Sequence, residues 1–425
     1  MPPDLSPAES IIHEALGRVF PAAQLEVRLR GQVVLSRAYG WLDPETQQHP
    51  TRPDTLFDLA SVTKLFVATA FMTLVEEGRV ALDQPVWTVL PAFTGPRPIR
   101  PYDDPLSPGA LVQVVPPTDE KADAGQVTFR HLLVHNSGLP AWRPLYREGN
   151  PAAALQTALD TYFSYPTGAR VVYSDIGLIL LGRAMEQLTG QPLDAIVQER
   201  VTAPLGLSHT DYIGKAQTPS PQPQSAIRNP QSAFRIPHSE IRIPHSEIRI
   251  PHSAFRIPHS AFRIPHSEIA PTEFCAWRNR RIVGEVHDEN AAGLGGVAGH
   301  AGLFSVASDV AALGQMYLDR GRPLLRPDTV AEMTRLQAED GAVRRGLGFA
   351  LWSPDPEASG NPFSQRAFGH AGFTGTSLWI DPDRALVVAC LTNRVYYGRD
   401  AAGILAFRVA LHRAIVESVK RHFDA

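Results

Sequence analysis

Apolar and polar positions alternate twice near the start of the chain, at Leu25, Val27 and Leu29 and again at Val33 and Leu35, with Gly31 between the two runs. A period of two is that of a strand with one buried face, so residues 23–41 predict a β-hairpin turning at Gly31. Residues 10–20 before it have helical spacing. From Ser61 the spacing predicts helices over residues 61–77, 128–135, 151–163, 175–188 and 193–200, separated by Pro- and Gly-rich loops. A further helix over 309–318 leads into strand-like runs at 346–351, 376–380 and 386–392, and an amphipathic helix over 401–422 closes the chain. Strands at both ends with helices between predict a mixed α/β fold. Residues 10–60 and 300–425 are expected to form a discontinuous α/β lobe, carrying a mainly helical lobe of residues 61–224 and 267–299.

Residues 225–273 fit neither lobe and form a heptad-repeat insertion. Within it, residues 232–266 are five consecutive heptads, SAFRIPH SEIRIPH SEIRIPH SAFRIPH SAFRIPH. A seven-residue period suggests a coiled coil, but a proline in every heptad removes a helical donor at about 3 kcal/mol each time, which excludes helix. The regular histidines invite a metal-array reading and the Arg-Ile steps a short β-solenoid. Near-identical copies instead indicate recent duplication, and a disordered surface loop is expected.

Composition narrows the function. A chain of 425 residues with 44% hydrophobic content can bury a large core. A net charge of -3 without blocks of like charge gives no footprint for nucleic acid or an anionic membrane. No apolar run reaches the roughly 18 residues of a membrane span, since the one ending at Val75 is broken by Glu76 and Glu77. Asp4 and Glu9 stand where a basic signal region would lie, so the chain as written is expected to be cytoplasmic, or periplasmic if the start codon is wrongly placed. Cys275 and Cys390 are too few for a disulfide framework and are expected as small apolar core residues.

Candidate chemistry begins in LFDLASVTKLFVATAFMTLVEEGRV, where Ser61 and Lys64 stand three apart. Ser61 fits two roles, a helix N-cap or a nucleophile. The helix after it is apolar nearly all round, so it is buried, and a buried helix gives Lys64 little structural purpose. Residues three apart share a face, so Lys64 can reach the Ser61 hydroxyl, and burial favours the neutral amine that could accept its proton. The helix N-terminus offers amides to an oxyanion. Tyr173 and Asp175 form a Tyr-x-Asp box, although each has an ordinary reading as a packing residue and an N-cap. Of two GHAG tetrapeptides, the first places His300 in a packed turn. The second, before two β-rich runs, places His370 on an exposed strand able to border a cleft. A metallohydrolase built from the HDEN run at 287–290 with His300 lacks helical H-x-x-x-H spacing, so no metal or cofactor is expected.

Together, Ser61-Val-Thr-Lys64, Tyr173-Ser-Asp175 and His370-Ala-Gly372 resemble, in order and rough separation, the serine β-lactamase and penicillin-binding-protein superfamily, in its class C-like branch of carboxypeptidases and esterases. The runs FRHLLVHNSGLP, GHAGLFSVASDVAAL and GFTGTSLWIDPD are similar to the family as well, and the resemblance spans about residues 23–411 outside the heptads. It implies the β-lactamase/transpeptidase-like fold, an antiparallel sheet flanked by helices. It also implies that Ser61 attacks a carbonyl, that Lys64 and Tyr173 manage its proton as a pair, and that the Ser61 and Phe373 amides hold the oxyanion. Asp175, His370 and Gly372 would face a small-molecule or peptidoglycan-derived substrate, as an ester or D-alanyl peptide. Two departures matter. Aspartate stands where many relatives carry asparagine; it can only accept hydrogen bonds and would pair with Lys64, which weakens acylamide recognition. His370 stands where β-lactamases usually have lysine and holds a substrate carboxylate only when protonated, so Arg394 is a candidate replacement cation. The alternative is a non-catalytic binding protein that retains the fold.

Overall fold

The computed structural model describes residues 2–104, 109–113, 121–213 and 268–424, and the heptads lie outside them. Its largest sheet has eight strands: β1 (Ala22–Leu29), β2 (Gln32–Gly40), β3 (Ala338–Asp340), β4 (Val343–Arg345), β5 (Ala350–Leu351), β6 (Phe368–Ala371), β7 (Ser377–Asp381) and β8 (Leu386–Thr392). They lie in the order β3-β4-β5-β6-β7-β8-β1-β2, antiparallel throughout. The β1–β2 turn falls on Arg30 and Gly31, both at positive φ, the conformation whose twist suits a two-residue hairpin. Strand β8 reads LVVACLT and is buried at every residue, the signature of a central strand covered on both faces.

One face of the sheet carries helices α1 (Ser6–Ala15) and α5 (Ala402–Asp424), whose Ala8, Ile12, Leu411 and Ile415 share a core with Leu25, Val27, Leu386 and Val388. The other face carries α4 (Ala307–Leu318), whose Val310 and Leu313 join Leu378, Val387 and Ala389 in a core that also holds α2 (Thr63–Glu76) and α3 (Asp175–Thr189). Cys390 lies in the first core, and both cysteines are buried and unpaired. None of the described helices is long and apolar enough to cross a membrane.

Two expectations shift. The strand predicted over 346–351 shrinks to Ala350–Leu351, because Leu347 and Phe349 turn inward, with Leu347 N–H bonded to Met333 O and Gly348 N–H to Leu133 O. Gly348, at φ +79°, makes this possible, since an added Cβ would stand 2.7 Å from Ala68 Cβ beneath it. The first helix begins earlier than its apolar spacing indicated, at Ser6, with proline in its first turn, and it gives way at Gly17, φ +74°.

Candidate active site

The N-terminal end of α2, the end of β6 and the start of α3 converge on one cleft of about 450 Å³, lined among others by Ser61, Tyr173, Asp175, Asp288, Phe373 and Arg399. Ser61 lies in a short 3₁₀ turn, Ala60–Val62, immediately before α2. Its hydroxyl caps nothing: no side-chain capping bond is made at the start of either the turn or the helix. The turn is sharp, with Ala60 at φ +44°, a conformation that non-glycine residues adopt only when their surroundings impose it. Those surroundings are visible. Asp58 Oδ1 accepts from Ala60 N–H at 2.8 Å, Thr374 Oγ1 donates to Asp58 O at 2.7 Å, and Thr376 Oγ1 donates to Leu59 O at 2.8 Å. Gly372 completes the clamp, because a Cβ there would lie 2.5 Å from Leu59 O and 2.1 Å from Thr376 Oγ1. The His-Ala-Gly box therefore needs its glycine to let the end of β6 abut the serine turn.

Lys64, fully buried, donates from its ammonium to Ser61 Oγ at 2.8 Å and His300 O at 2.9 Å, and forms an ion pair with Asp175 Oδ1 at 2.8 Å. Burial is the largest single influence and disfavours the charge, yet the Asp175 and Tyr173 side chains together outweigh it and hold Lys64 above the ordinary lysine range. This corrects the neutral amine expected from burial alone. The helix cap at α3 is Ser174, whose Oγ accepts from Gly177 N–H, so Asp175 is free of that duty.

Tyr173 is presented by the strand-like run before α3, which Val172 N–H and Ser174 N–H fasten to His135 O and Nδ1 at 2.8 and 3.1 Å. His135 itself sits at φ +61° in the HNSG turn of the FRHLLVHNSGLP run. The Tyr173 hydroxyl makes no hydrogen bond of good geometry, and burial, only partly opposed by Lys64, pushes the phenol upward. Among the described residues, the Ser61 and Phe373 backbone N–H groups have no acceptor.

His370 departs from expectation. It is buried rather than exposed on its strand, its Nδ1 lies 2.9 Å from Ala371 O, and its ring faces Tyr173 at 5.7 Å between centroids. Burial, then the charges of Lys64 and Arg345, push it well below the usual histidine range, so it stays a neutral imidazole. Arg394, expected as a replacement cation, does not line the cleft. It is buried, gives its donors to Phe373 O at 2.8 Å, Arg399 O at 2.9 Å and Asp400 O at 3.0 Å, and is brought down to about 10 by desolvation. It buttresses the Phe373 loop from behind. Arg399 reaches the cleft instead, bridged to Glu273 at 2.5 Å and to Glu289.

His300 is indeed buried in its turn, but its carbonyl binds Lys64 and its Nε2 lies 2.9 Å from Asp288 Oδ1, contacts that the tetrapeptide alone did not reveal. Asp175, Asp288 and His300 bring ligand atoms within 4.8 Å of one another. The Lys64 ammonium already sits against Asp175, so a second cation there would meet a like charge at contact range. His287 of the HDEN run pairs with Glu273 at 3.1 Å and stacks on Phe373, apart from that cluster.

The Beta-lactamase family model matches residues 8–411. The chain belongs to the Beta-lactamase family. It is 29% identical over 415 residues to the N-acetylmuramyl-L-alanine amidase of Bacillus subtilis (strain 168), covering 92% of this chain and 81% of that protein. It is 30% identical over 403 residues to a putative D-alanyl-D-alanine carboxypeptidase of Salmonella typhimurium, covering 88% of this chain and 79% of that protein. In structure it is similar to EstCE1, described as a hydrolase with promiscuous acyltransferase activity, with a TM-score of 0.66 at 18% identity over 96% of this chain and 98% of that one. Family and relatives indicate a hydrolase of the β-lactamase and penicillin-binding-protein superfamily. The fold is the β-lactamase/transpeptidase-like one, an antiparallel sheet with helices on both faces.

Proposed function

We propose that the protein is a serine hydrolase that forms an acyl-enzyme on Ser61 and hydrolyses it, with esters as its preferred substrates. The observation that carries this reading is Ser61 Oγ, free of any capping role, 2.8 Å from Lys64 Nζ at the edge of a cleft that Tyr173 also lines. In the reaction, with the Lys64–Tyr173 pair one proton short, the form that rising pH populates, Ser61 Oγ bonds to the substrate carbonyl carbon as its proton passes to that pair. The Ser61 and Phe373 amides take the oxyanion. The same pair returns the proton to the departing alkoxide, and water, activated in turn, releases the acid and restores Ser61. Lys64 and Tyr173 act as one unit, and neither is singled out as the base.

Esters are favoured over substrates ending in a carboxylate because His370 is neutral, Arg394 lies outside the cleft lining, and Arg399, which does line it, is already paired with Glu273 and Glu289. Asp175, engaged by Lys64, has no amide donor for an acylamide carbonyl. A D-alanyl peptide is the second reading, supported by the relative named a putative D-alanyl-D-alanine carboxypeptidase. A third, a binding protein that retains the fold, predicts no turnover at all. A panel of p-nitrophenyl esters, a D-Ala-D-Ala peptide and nitrocefin separates them. Ester turnover at least about tenfold above the peptide in kcat/KM supports the proposal, a preference for the peptide selects the second reading, and no turnover of any substrate selects the third.

A further inference from the structure

Strand β4 ends on an arginine that no sequence motif singles out. Arg345 is half-buried, yet among the described residues its guanidinium makes no ion pair and no hydrogen bond, and its Nε is enclosed without a partner. Enclosing part of an unpaired cation is costly, so such a group calls for a reason beyond packing. Its carbon Cζ lies 5.3 Å from the centroid of the Tyr173 ring.

The surroundings of that ring are unusual as a set. Lys64 Nζ stands 4.8 Å from its centroid, the His135 ring 4.6 Å and the His370 ring 5.7 Å. Asp175 and Ser61 act on the phenol as well. Both imidazoles are kept neutral by burial and by the nearby charges of Lys64 and Arg345. The Lys64 charge is shared with Asp175 at 2.8 Å. Arg345 is thus the one cation beside Tyr173 without a carboxylate partner among the described residues.

We propose that Arg345 is a positioning residue of the active site, whose guanidinium supplies beside Tyr173 the second positive charge that the His370-Ala-Gly372 box does not provide, and so steadies the phenolate through which the Ser61 proton passes. The role rests on the serine-hydrolase reading. Arg345 does not line the cleft, so it acts through Tyr173 and not on the substrate. A cation favours the phenolate, and its removal makes Tyr173 harder to ionise. Arginine suits the place because it stays charged where a histidine is neutral and is weakly hydrated enough to lie on an aromatic face.

Two measurements test this. In the first, R345Q and R345K are compared with the parent enzyme in the pH dependence of kcat and KM for a p-nitrophenyl ester. R345Q should move the rising limb up by about one pH unit, a loss of about tenfold on the limb that shrinks as pH increases, carried by kcat and not KM. R345K, which keeps the charge, should recover most of it. The second measurement needs no turnover: tyrosinate absorbance is followed with pH in Ser61→Ala protein, with and without R345Q, and the Tyr173→Phe counterpart is subtracted. The Tyr173 midpoint should rise by about one unit. An unmoved midpoint, or activity lost equally at every pH by a protein that melts normally, would overturn the proposal. If the serine-hydrolase reading fails, the first measurement is silent while the second still reports. If R345Q does not fold, R345K carries the absorbance test, and a midpoint displaced despite the retained charge would count against the role.

Discussion

Asp175→Asn is the most informative single substitution in this site. Lys64 Nζ and Asp175 Oδ1 stand 2.8 Å apart, with side-chain exposures of 1% and 18%. Two unit charges at that distance attract by about 6 kcal/mol at an effective dielectric constant of about 20, an upper limit for their effect on protonation. Opposite charges this close commonly shift a group by about 1–3 pH units, so about two is expected. The sign follows from the cause. Asp175 is the leading influence holding Lys64 upward against burial, so without its charge burial dominates and the amine becomes available at lower pH. Asparagine keeps an oxygen acceptor for the ammonium, and the Ser174 cap of α3 is untouched, so the fold should hold. The rising limb of kcat/KM for a p-nitrophenyl ester should therefore move down by about two pH units, which on the limb is about a hundredfold gain. Penicillin acylation should improve relative to the ester, because the new amide can donate to an acylamide carbonyl. A rising limb that does not move, with an unchanged penicillin-to-ester ratio, would refute the reasoning that couples Asp175 to Lys64 ionisation.

Other outcomes follow from the same geometry. Tyr173→Phe should lower kcat by about 10²–10⁴ with little change in KM or melting temperature, since the hydroxyl makes no hydrogen bond of good geometry and, in the proposed mechanism, carries a proton. Imidazole NMR should find His370 neutral through and below the pH range in which an exposed histidine titrates; an imidazolium in that range would contradict its burial. Arg394→Ala should cost about 1–3 kcal/mol of stability, read by denaturant melts, by stranding the Phe373, Arg399 and Asp400 carbonyls. It should not weaken carboxylate-bearing substrates selectively.

The features legible in the sequence were those that one local pattern specifies. The hairpin, the long apolar helix after Ser61, the closing helix and the three boxes all follow from periodicity or from residues a few positions apart. Strands of two or three residues, such as β3 to β5, carry too little alternation to announce themselves. Burial at the site was harder still. His370 sits on a strand whose surroundings come from Tyr173, Lys64 and Arg345, distant in sequence, and nothing local distinguishes it from an exposed histidine. Burial alone favoured a neutral Lys64; the partner that keeps it charged, Asp175, lies more than a hundred residues away and was expected only through the resemblance. The Asp288–His300 pair and Arg345 have the same character, since only the fold brings them to the serine.

The central claim, a covalent acyl-enzyme on Ser61, is tested most directly by intact mass spectrometry with peptide mapping after brief exposure to a fluorophosphonate, and separately to a p-nitrophenyl ester quenched in acid. A single adduct mapping to Ser61, absent from Ser61→Ala, with ester turnover lost in that variant while its melting temperature is kept, is the predicted result. No adduct from either reagent, an adduct on another residue, or a Ser61→Ala protein that retains more than a few per cent of parental kcat would contradict it.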